Sequence, residues 1–274
     1  MKTGQCTGHP LDAVIDIRPD GGRGADGWTV PEYGNMVGPF GGATAAFILQ
    51  VIDAQADRVG EPVALTVTYA APIADGEFHV DVDLVRTNRT NQHWTATLSQ
   101  DGEVKSTATA VFGIRREVWS DIEAVMPTAG EPASYPPATW PLGVAFLRNY
   151  DVRVIDGAPP EDEPPAPSSL STFWVRHDPE RHLDFPALAA LADVFYPRVF
   201  LRLGRSVPAG TVSMTTYFHA SAAELERVGD DYLLATARAQ RFAGGYFDQA
   251  AQLWSRDGVL LATTNQIVYY KDSR

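Results

Sequence analysis

The sequence predicts an α+β protein built from one unit used twice, and three observations carry that prediction. An apolar pattern of helical period from Ala43 to Val59 is followed by four stretches of period-two alternation. A proline-rich, acidic stretch then breaks the pattern, and beyond it a second apolar helical stretch and four more alternating stretches repeat the same order. At 274 residues and 45% apolar composition the chain is long enough for about two domains of ordinary size, so two copies of a unit of roughly 100 residues fit its length.

The elements follow in order. Residues 11 to 17 alternate loosely and end at Pro19-Asp20-Gly21-Gly22, which reads as a short strand closed by a turn. Residues 28 to 42 are rich in Gly and Pro and read as a loop. From Ala43 the residues Ala45, Ala46, Leu49, Ile52, Ala56 and Val59 recur at spacings of three and four with no Gly or Pro between them, as an amphipathic helix requires. The stretches 62 to 72, 77 to 88, 93 to 100 and 104 to 114 are rich in Val, Thr and aromatics and are separated by turns such as Ala74-Asp75-Gly76 and Gln100-Asp101-Gly102. The first unit therefore spans 11–116. Residues 117–169 hold Pro136-Pro137, Pro159-Pro160, Pro164-Pro165 and the acidic Glu161-Asp162-Glu163, and read as a Pro-rich linker, ordered around Trp140 to Val154 and mobile near 157 to 168.

The second unit spans 170–272. Its elements are a strand at 170 to 177, a helix at 186 to 204 kinked at Pro197, and strands at 211 to 220, 231 to 243, 246 to 256 and 259 to 271. Two internal echoes tie the halves together. Ser99-Gln100-Asp101-Gly102 has its counterpart in Ser255-Arg256-Asp257-Gly258, and Thr66-Val67-Thr68-Tyr69 in Met214-Thr215-Thr216-Tyr217. Trp94, Trp174 and Trp254 lie in strand stretches and are expected to pack the sheets.

Charge and composition exclude several functions. With 34 Asp and Glu against 22 Lys and Arg the net charge is −12, and no basic run exceeds Arg115-Arg116, so neither nucleic acid nor an anionic membrane surface is an expected partner. No apolar run approaches the length of a membrane span, and a cytoplasmic location is expected. Cys6 is alone, which removes an intrachain disulfide and a Cys-rich zinc site; it reads as a bystander thiol. His177 and His182 flank Asp178-Pro179-Glu180-Arg181, but the spacing is not that of a metal-binding helix, so this is expected to be a polar loop and no metal is expected. Gly-x-Ser-x-Gly is absent, and with it the signature of an acyl-enzyme route of the α/β-hydrolase kind.

The stretches GPFGGATAAFILQ, PVALTVTYAAP, SQDG and ATTNQIVYY, in this order, resemble the double hotdog acyl-CoA thioesterases of the thioesterase II type over roughly residues 20 to 272 outside the linker. The resemblance implies a double hotdog fold, in which two curved antiparallel sheets, each wrapped around a long central helix, join into one. It also implies acyl-CoA as the substrate, no cofactor, and a homo-oligomer, dimer or larger. It places an aspartate on the second central helix at Asp193, a glutamine on the last strand at Gln266, and a hydroxyl on the strand after the helix. For that hydroxyl Thr211 is the match, with Thr215 and Ser213 as alternatives on the same strand face.

The chemistry of these residue types agrees with hydrolysis by direct attack of water. A carboxylate among Leu188, Leu191, Val194 and Phe195 is costly to ionise and suited to act as a base. A Gln and a Thr both donate and accept, so they can hold a water without competing for its proton. Gly41 and Gly42 open the first helix, where side-chain-free amides at a helix N-terminus suit an oxyanion; the same glycines also permit a tight turn and close packing. Thr44 or Ala45 stands where the first unit would need its own carboxylate, so one site per chain is expected. The phosphates of CoA would fall to Arg86, Arg89, Arg115 and Arg116, or to Arg238 and Arg241. Two rival readings remain: a non-catalytic acyl-CoA binding or scaffold protein of the same fold, and a hotdog enoyl-CoA hydratase, against which the single, strand-borne His79, His93 and His219 speak.

Overall fold

The computed structural model describes residues 8–139 and 143–272; Cys6 and Trp140, about which the sequence raised expectations, lie outside them. Where the alternation suggested a strand from residue 11, the structure has a short helix, α1 (Pro10–Val14). The reason is local: His9 caps the N-terminus, Asp12 answers with its side chain to the His9 amide, Pro10 fills the first turn, and Leu11 and Val14, three apart, are the buried pair. Two short strands follow, β1 (Arg18–Pro19) and β2 (Ala25–Trp28).

Helix α2 (Gly41–Asp53) is apolar all round, and nearly every residue from Gly42 to Ile52 is buried, as befits the central helix of a sheet that curves about it. It ends six residues before the periodicity does. The chain turns away after Asp53, and Gln92 holds the exit by accepting from the Val59 amide at 2.7 Å and donating to the Asp57 carbonyl at 2.9 Å. The antiparallel run β3 (Glu61–Tyr69), β4 (Glu77–Thr87), β5 (Asn91–Gln100) and β6 (Glu103–Gly113) follows. Leu65, Val67, Val80, Val82, Trp94, Leu98 and Phe112 turn their side chains to the core that α2 fills.

The stretch from 117 to 169 carries a strand of its own, β7 (Tyr150–Asp156), which pairs with β8 (Ser171–His177). Its earlier part packs Met126, Ala129 and Tyr135 over Trp174, Leu234 and Trp254, and the indole of Trp174 donates to the Gly130 carbonyl at 2.9 Å. Its later part, expected to be mobile, is tied down: the amides of Glu163 and Ala166 donate to the carbonyls of Gly204 and Leu201, each at 2.9 Å. Proline there removes donors without preventing the remaining amides from pairing.

The second apolar helical stretch is two helices rather than one kinked helix, α3 (Phe185–Leu191) and α4 (Arg198–Leu203), with a turn between them. Pro197 lacks the amide that a continuous helix would need and restricts Tyr196 before it, so the first helix closes and the second starts afresh. Then come β9 (Ala209–Phe218), a short helix α5 (Ala222–Val228) with its own capping box at Ser221 and Glu224, β10 (Leu233–Arg238), β11 (Phe242–Ala243), β12 (Tyr246–Trp254) and β13 (Leu260–Tyr270).

Among the described residues all thirteen strands form one sheet, in the order β1-β2-β4-β5-β6-β3-β9-β13-β12-β10-β8-β7 with β11 beside β12. Read outward from the junction of β3 and β9, the two halves have the same order, which is the duplication expressed in space. The junction is antiparallel and pairs Thr66 with Thr215, whose hydroxyls lie 2.9 Å apart. Arg115 staples it: the guanidinium pairs with Glu61 at 2.9 Å and donates to the carbonyls of Phe218 at 2.8 Å and His219 at 3.0 Å. Helices α2 and α3 pack against each other, so the two units share a single core. Among the described residues no helix is long and apolar enough to cross a membrane.

Candidate active site

Asp193 sits just past the end of α3, in the turn that Pro197 enforces, and not inside a helix as the pattern had suggested. The amides of Asp193 and Val194 reach back to the carbonyls of Ala190 and Leu191 at 3.2 Å, so the last helical turn tightens and turns the carboxylate toward β13 and the N-terminus of α2. There Gln266 donates from Nε2 to Oδ1 of Asp193 at 2.8 Å, and Thr211 donates from its hydroxyl to Oε1 of Gln266 at 3.0 Å. Three residues from the turn after α3, the start of β9 and the middle of β13 thus form one hydrogen-bonded chain. Asp193 and Gln266 are buried, at 9% and 4% exposure.

A bulge in β9 decides which hydroxyl joins this chain. Ser213 pairs with Ile267 and Thr211 with Val268, so Val212 is an extra residue with no partner on β13. The insertion breaks the expected sharing of one face by Thr211, Ser213 and Thr215. Thr211 is re-aimed to the face of Gln266 and Val268, whereas Ser213 and Thr215 stay on the opposite one. Thr215, an alternative to Thr211 for the site's hydroxyl, meets Thr66 at the sheet junction and is not brought to the site.

The first unit contributes its helix N-terminus. The Gly42 amide hydrogen-bonds to the Asp193 carboxylate, which together with the Gln266 bond opposes part of the effect of burial; burial prevails, and the carboxyl is pushed up to about 7. The glycine amides were expected to hold an oxyanion; that of Gly42 has the aspartate as its partner instead. Both glycines are steric necessities. A Cβ on Gly41 would lie 2.8 Å from Oδ2 of Asp193, and one on Gly42 would lie 2.5 Å from the Ala190 carbonyl oxygen. Gly42→Ala is therefore expected to lower the unfolding free energy by about 1–3 kcal/mol in urea denaturation, because backbone at that contact has no room to yield.

The sequence did not single out three further residues that the structure brings here. Tyr69 donates to the Gly41 carbonyl at 2.9 Å, and its ring lies within 3.3 Å of the site a Gly41 Cβ would take. Gln249 stands opposite Gln266 across β12 and β13 and is buried. Arg198, the first residue of α4, is fully buried and donates to Gln249 at 3.2 Å. The Tyr in the repeated strand motif and the inward register of Gln249 were readable signals; nothing in the pattern marked Arg198, since an arginine in a helix is ordinarily solvated.

Two cavities meet at Asp193 and Thr211. One, of about 110 Å³, is lined by Phe40, Phe146, Leu147, Val194, Phe195 and Val268 among others; the other, of about 730 Å³, runs between the units past Gly41, Thr44, Tyr69, Ile73, Val207 and Tyr269. None of the arginines considered for CoA lines either cavity. Arg115 is spent on the sheet junction. His177, the last residue of β8, is buried against the rings of His9 and Tyr150 and does not open a polar loop. His79 does meet an aspartate, Asp26 at 2.6 Å, which raises its pKa, but on the exposed face of β2 and β4 and not on a central helix.

The joined sheets, the two central helices and a single carboxylate, amide and hydroxyl chain between the units define a double hotdog protein. Residues 30–113 match the family model of the acyl-CoA thioesterase N-terminal domain and residues 127–270 that of the acyl-CoA thioesterase C-terminal domain, so the chain belongs to the acyl-CoA thioesterase family. A conserved protein of unknown function with a hotdog fold from Alicyclobacillus acidocaldarius is 47% identical over 97% of this chain and 100% of its own, with a TM-score of 0.93. Two solved structures of lower identity share the fold. The tesB protein of Mycobacterium avium subspecies paratuberculosis is 21% identical over 96% of this chain and 98% of its own, with a TM-score of 0.77. The acyl-CoA thioesterase II TesB2 of Mycobacterium marinum is 18% identical over 95% of this chain and 98% of its own, with a TM-score of 0.74. No curated protein matches the chain.

Proposed function

We propose that this protein hydrolyses acyl-CoA to a free acid and CoA by direct attack of water, with Asp193 as general base and Gln266 and Thr211 holding the water. The observation that carries this reading is the Thr211 to Gln266 to Asp193 hydrogen-bonded chain at the meeting point of two cavities. Each donor in the chain hands its polarity on: the Thr211 hydroxyl engages the amide oxygen of Gln266, and the amide nitrogen engages Oδ1 of Asp193. Oδ2, which faces Gly41, is left to take a proton from water. The oxygen–carbon bond forms as that proton moves to Asp193. The carbon–sulfur bond then breaks, and the departing thiolate takes the proton from Asp193, which returns the base to its starting state. Gly41 supplies the remaining amide at the N-terminus of α2 for the developing oxyanion.

A carboxyl with a pKa of about 7 is matched to base catalysis near neutrality. The base form is required, so kcat/KM rises with pH through about 7 and levels above it. A hydratase reading needs a histidine at the reacting carbon, and no histidine lines either cavity among the described residues. The purified protein assayed on a panel of acyl-CoA esters, with a reagent for free thiol, is expected to release CoA, and Gln266→Ala to lower kcat at least tenfold. It is also expected to move the acid limb of the pH profile upward, because the lost hydrogen bond favoured the ionised carboxylate. Turnover and pH profile unchanged in that variant would overturn the assignment.

A further inference from the structure

A thioester placed with its carbonyl at Asp193, Gln266 and Thr211 has two arms, and the site offers two unequal spaces for them. The pantetheine arm leads to a nucleotide and phosphates, which must reach water, so it needs a wide, open path. The cavity of about 730 Å³ provides one: its wall includes Met36, Val37 and Tyr269, exposed at 48%, 70% and 39%. The cavity of about 110 Å³ offers the opposite. Phe40, Phe146, Leu147, Val194, Phe195 and Val268 in its wall are buried, Met36 is common to both cavities, and Phe40 and Phe146 stack face to face with centroids 4.1 Å apart.

Resting on the hydrolase reading above, we infer that the small cavity is the acyl pocket and that the enzyme selects short apolar acyl groups of about four to six carbons. The size follows from comparison with an apolar cavity of about 150 Å³, which accommodates the six carbons of benzene; about 110 Å³ holds roughly four carbons beyond the carbonyl. Of the polar residues in this wall beyond the catalytic chain, Gln249 has its carbonyl oxygen engaged by Arg198, and Asn35 accepts from the Met36 amide through Oδ1 at 2.8 Å. The stacked phenyl pair forms part of the pocket wall, so a longer chain has to displace a packed ring, and a small apolar pocket discriminates at roughly tenfold or more per misfit methylene.

Two series test this. Hydrolysis is measured across saturated acyl-CoA esters from two to sixteen carbons, and binding is measured by calorimetry across S-alkyl thioethers of CoA of matching lengths, which cannot be hydrolysed. Both are expected to peak at four to six carbons and to fall at least tenfold by ten. Phe146→Ala is expected to move both optima up by two carbons or more, and Val144→Phe, which adds bulk to the lining of the same cavity, to move them down. An optimum at ten carbons or longer, or a flat profile, overturns the pocket assignment. Chain-length selective binding without hydrolysis of any ester upholds the pocket and overturns the hydrolase reading, so the two failures are distinct.

Discussion

Asp193→Asn is expected to lower kcat/KM for acyl-CoA hydrolysis by about 10²- to 10⁴-fold, the range lost with a general base, while making the protein more stable. Both halves of that result come from the same burial. The carboxyl stands at about 7 in the fold against 3.8 in an unfolded chain. Between those values the unfolded chain gives up its proton and the folded protein does not, so this group weakens folding progressively as pH rises from about 4 to 7. The full cost, of order 4 kcal/mol, is present above 7. Asparagine keeps the size and the bond from Gln266 and removes the charge. The variant is therefore expected to melt several degrees higher than wild type at pH 8, with the difference vanishing near pH 4. Thermal melts at the two pH values, beside thiol-release kinetics, check both halves. A variant that is inactive and also less stable at pH 8 would make Asp193 a structural residue instead of a base kept at a cost to the fold.

Arg198→Ala is expected to cost about 3–5 kcal/mol of stability. The guanidinium is fully buried, and burial pulls its pKa down to about 10, so it remains charged at neutral pH. Its partners are neutral oxygens: the Tyr196 carbonyl at 2.6 Å, the Ser171 hydroxyl at 2.5 Å, and Oε1 of Gln249 at 3.2 Å. Alanine leaves these acceptors without donors and opens a void behind the turn that carries Asp193. Arg198→Met fills most of the volume and removes a buried charge, so it is expected to cost clearly less. Urea denaturation of the two variants decides it. An alanine variant within 1 kcal/mol of wild type would mean that the cation contributes little beyond its own desolvation.

Much of the fold was legible because its signals are local. Alternation in the strand stretches and the three-and-four spacing from Ala45 to Ile52 depend only on which face is buried, and the structure places those strands within a few residues of the expected bounds. Residues 10 to 14 misled because period-two alternation over so short a stretch also fits a capped helical turn, and the capping chemistry of His9 and Asp12 decided the matter. The span from 186 to 204 misled because apolar spacing continues through Pro197 while backbone hydrogen bonding does not.

The sequence by itself determined that the chain is a duplicated α+β unit of acidic, core-forming composition, and it named the carboxylate, amide and hydroxyl that meet. Only the tertiary structure decided how they meet. The bulge at Val212 selects Thr211 over Ser213 and Thr215. The approach of α2 to α3 gives the Gly42 amide to Asp193, and the fold stacks Phe40 on Phe146 in the wall of the smaller cavity. The physical reason is range. Side-chain period reports which face of an element is buried, but strand register, the contact of one unit with the other and the volume left between them arise from residues far apart in the chain.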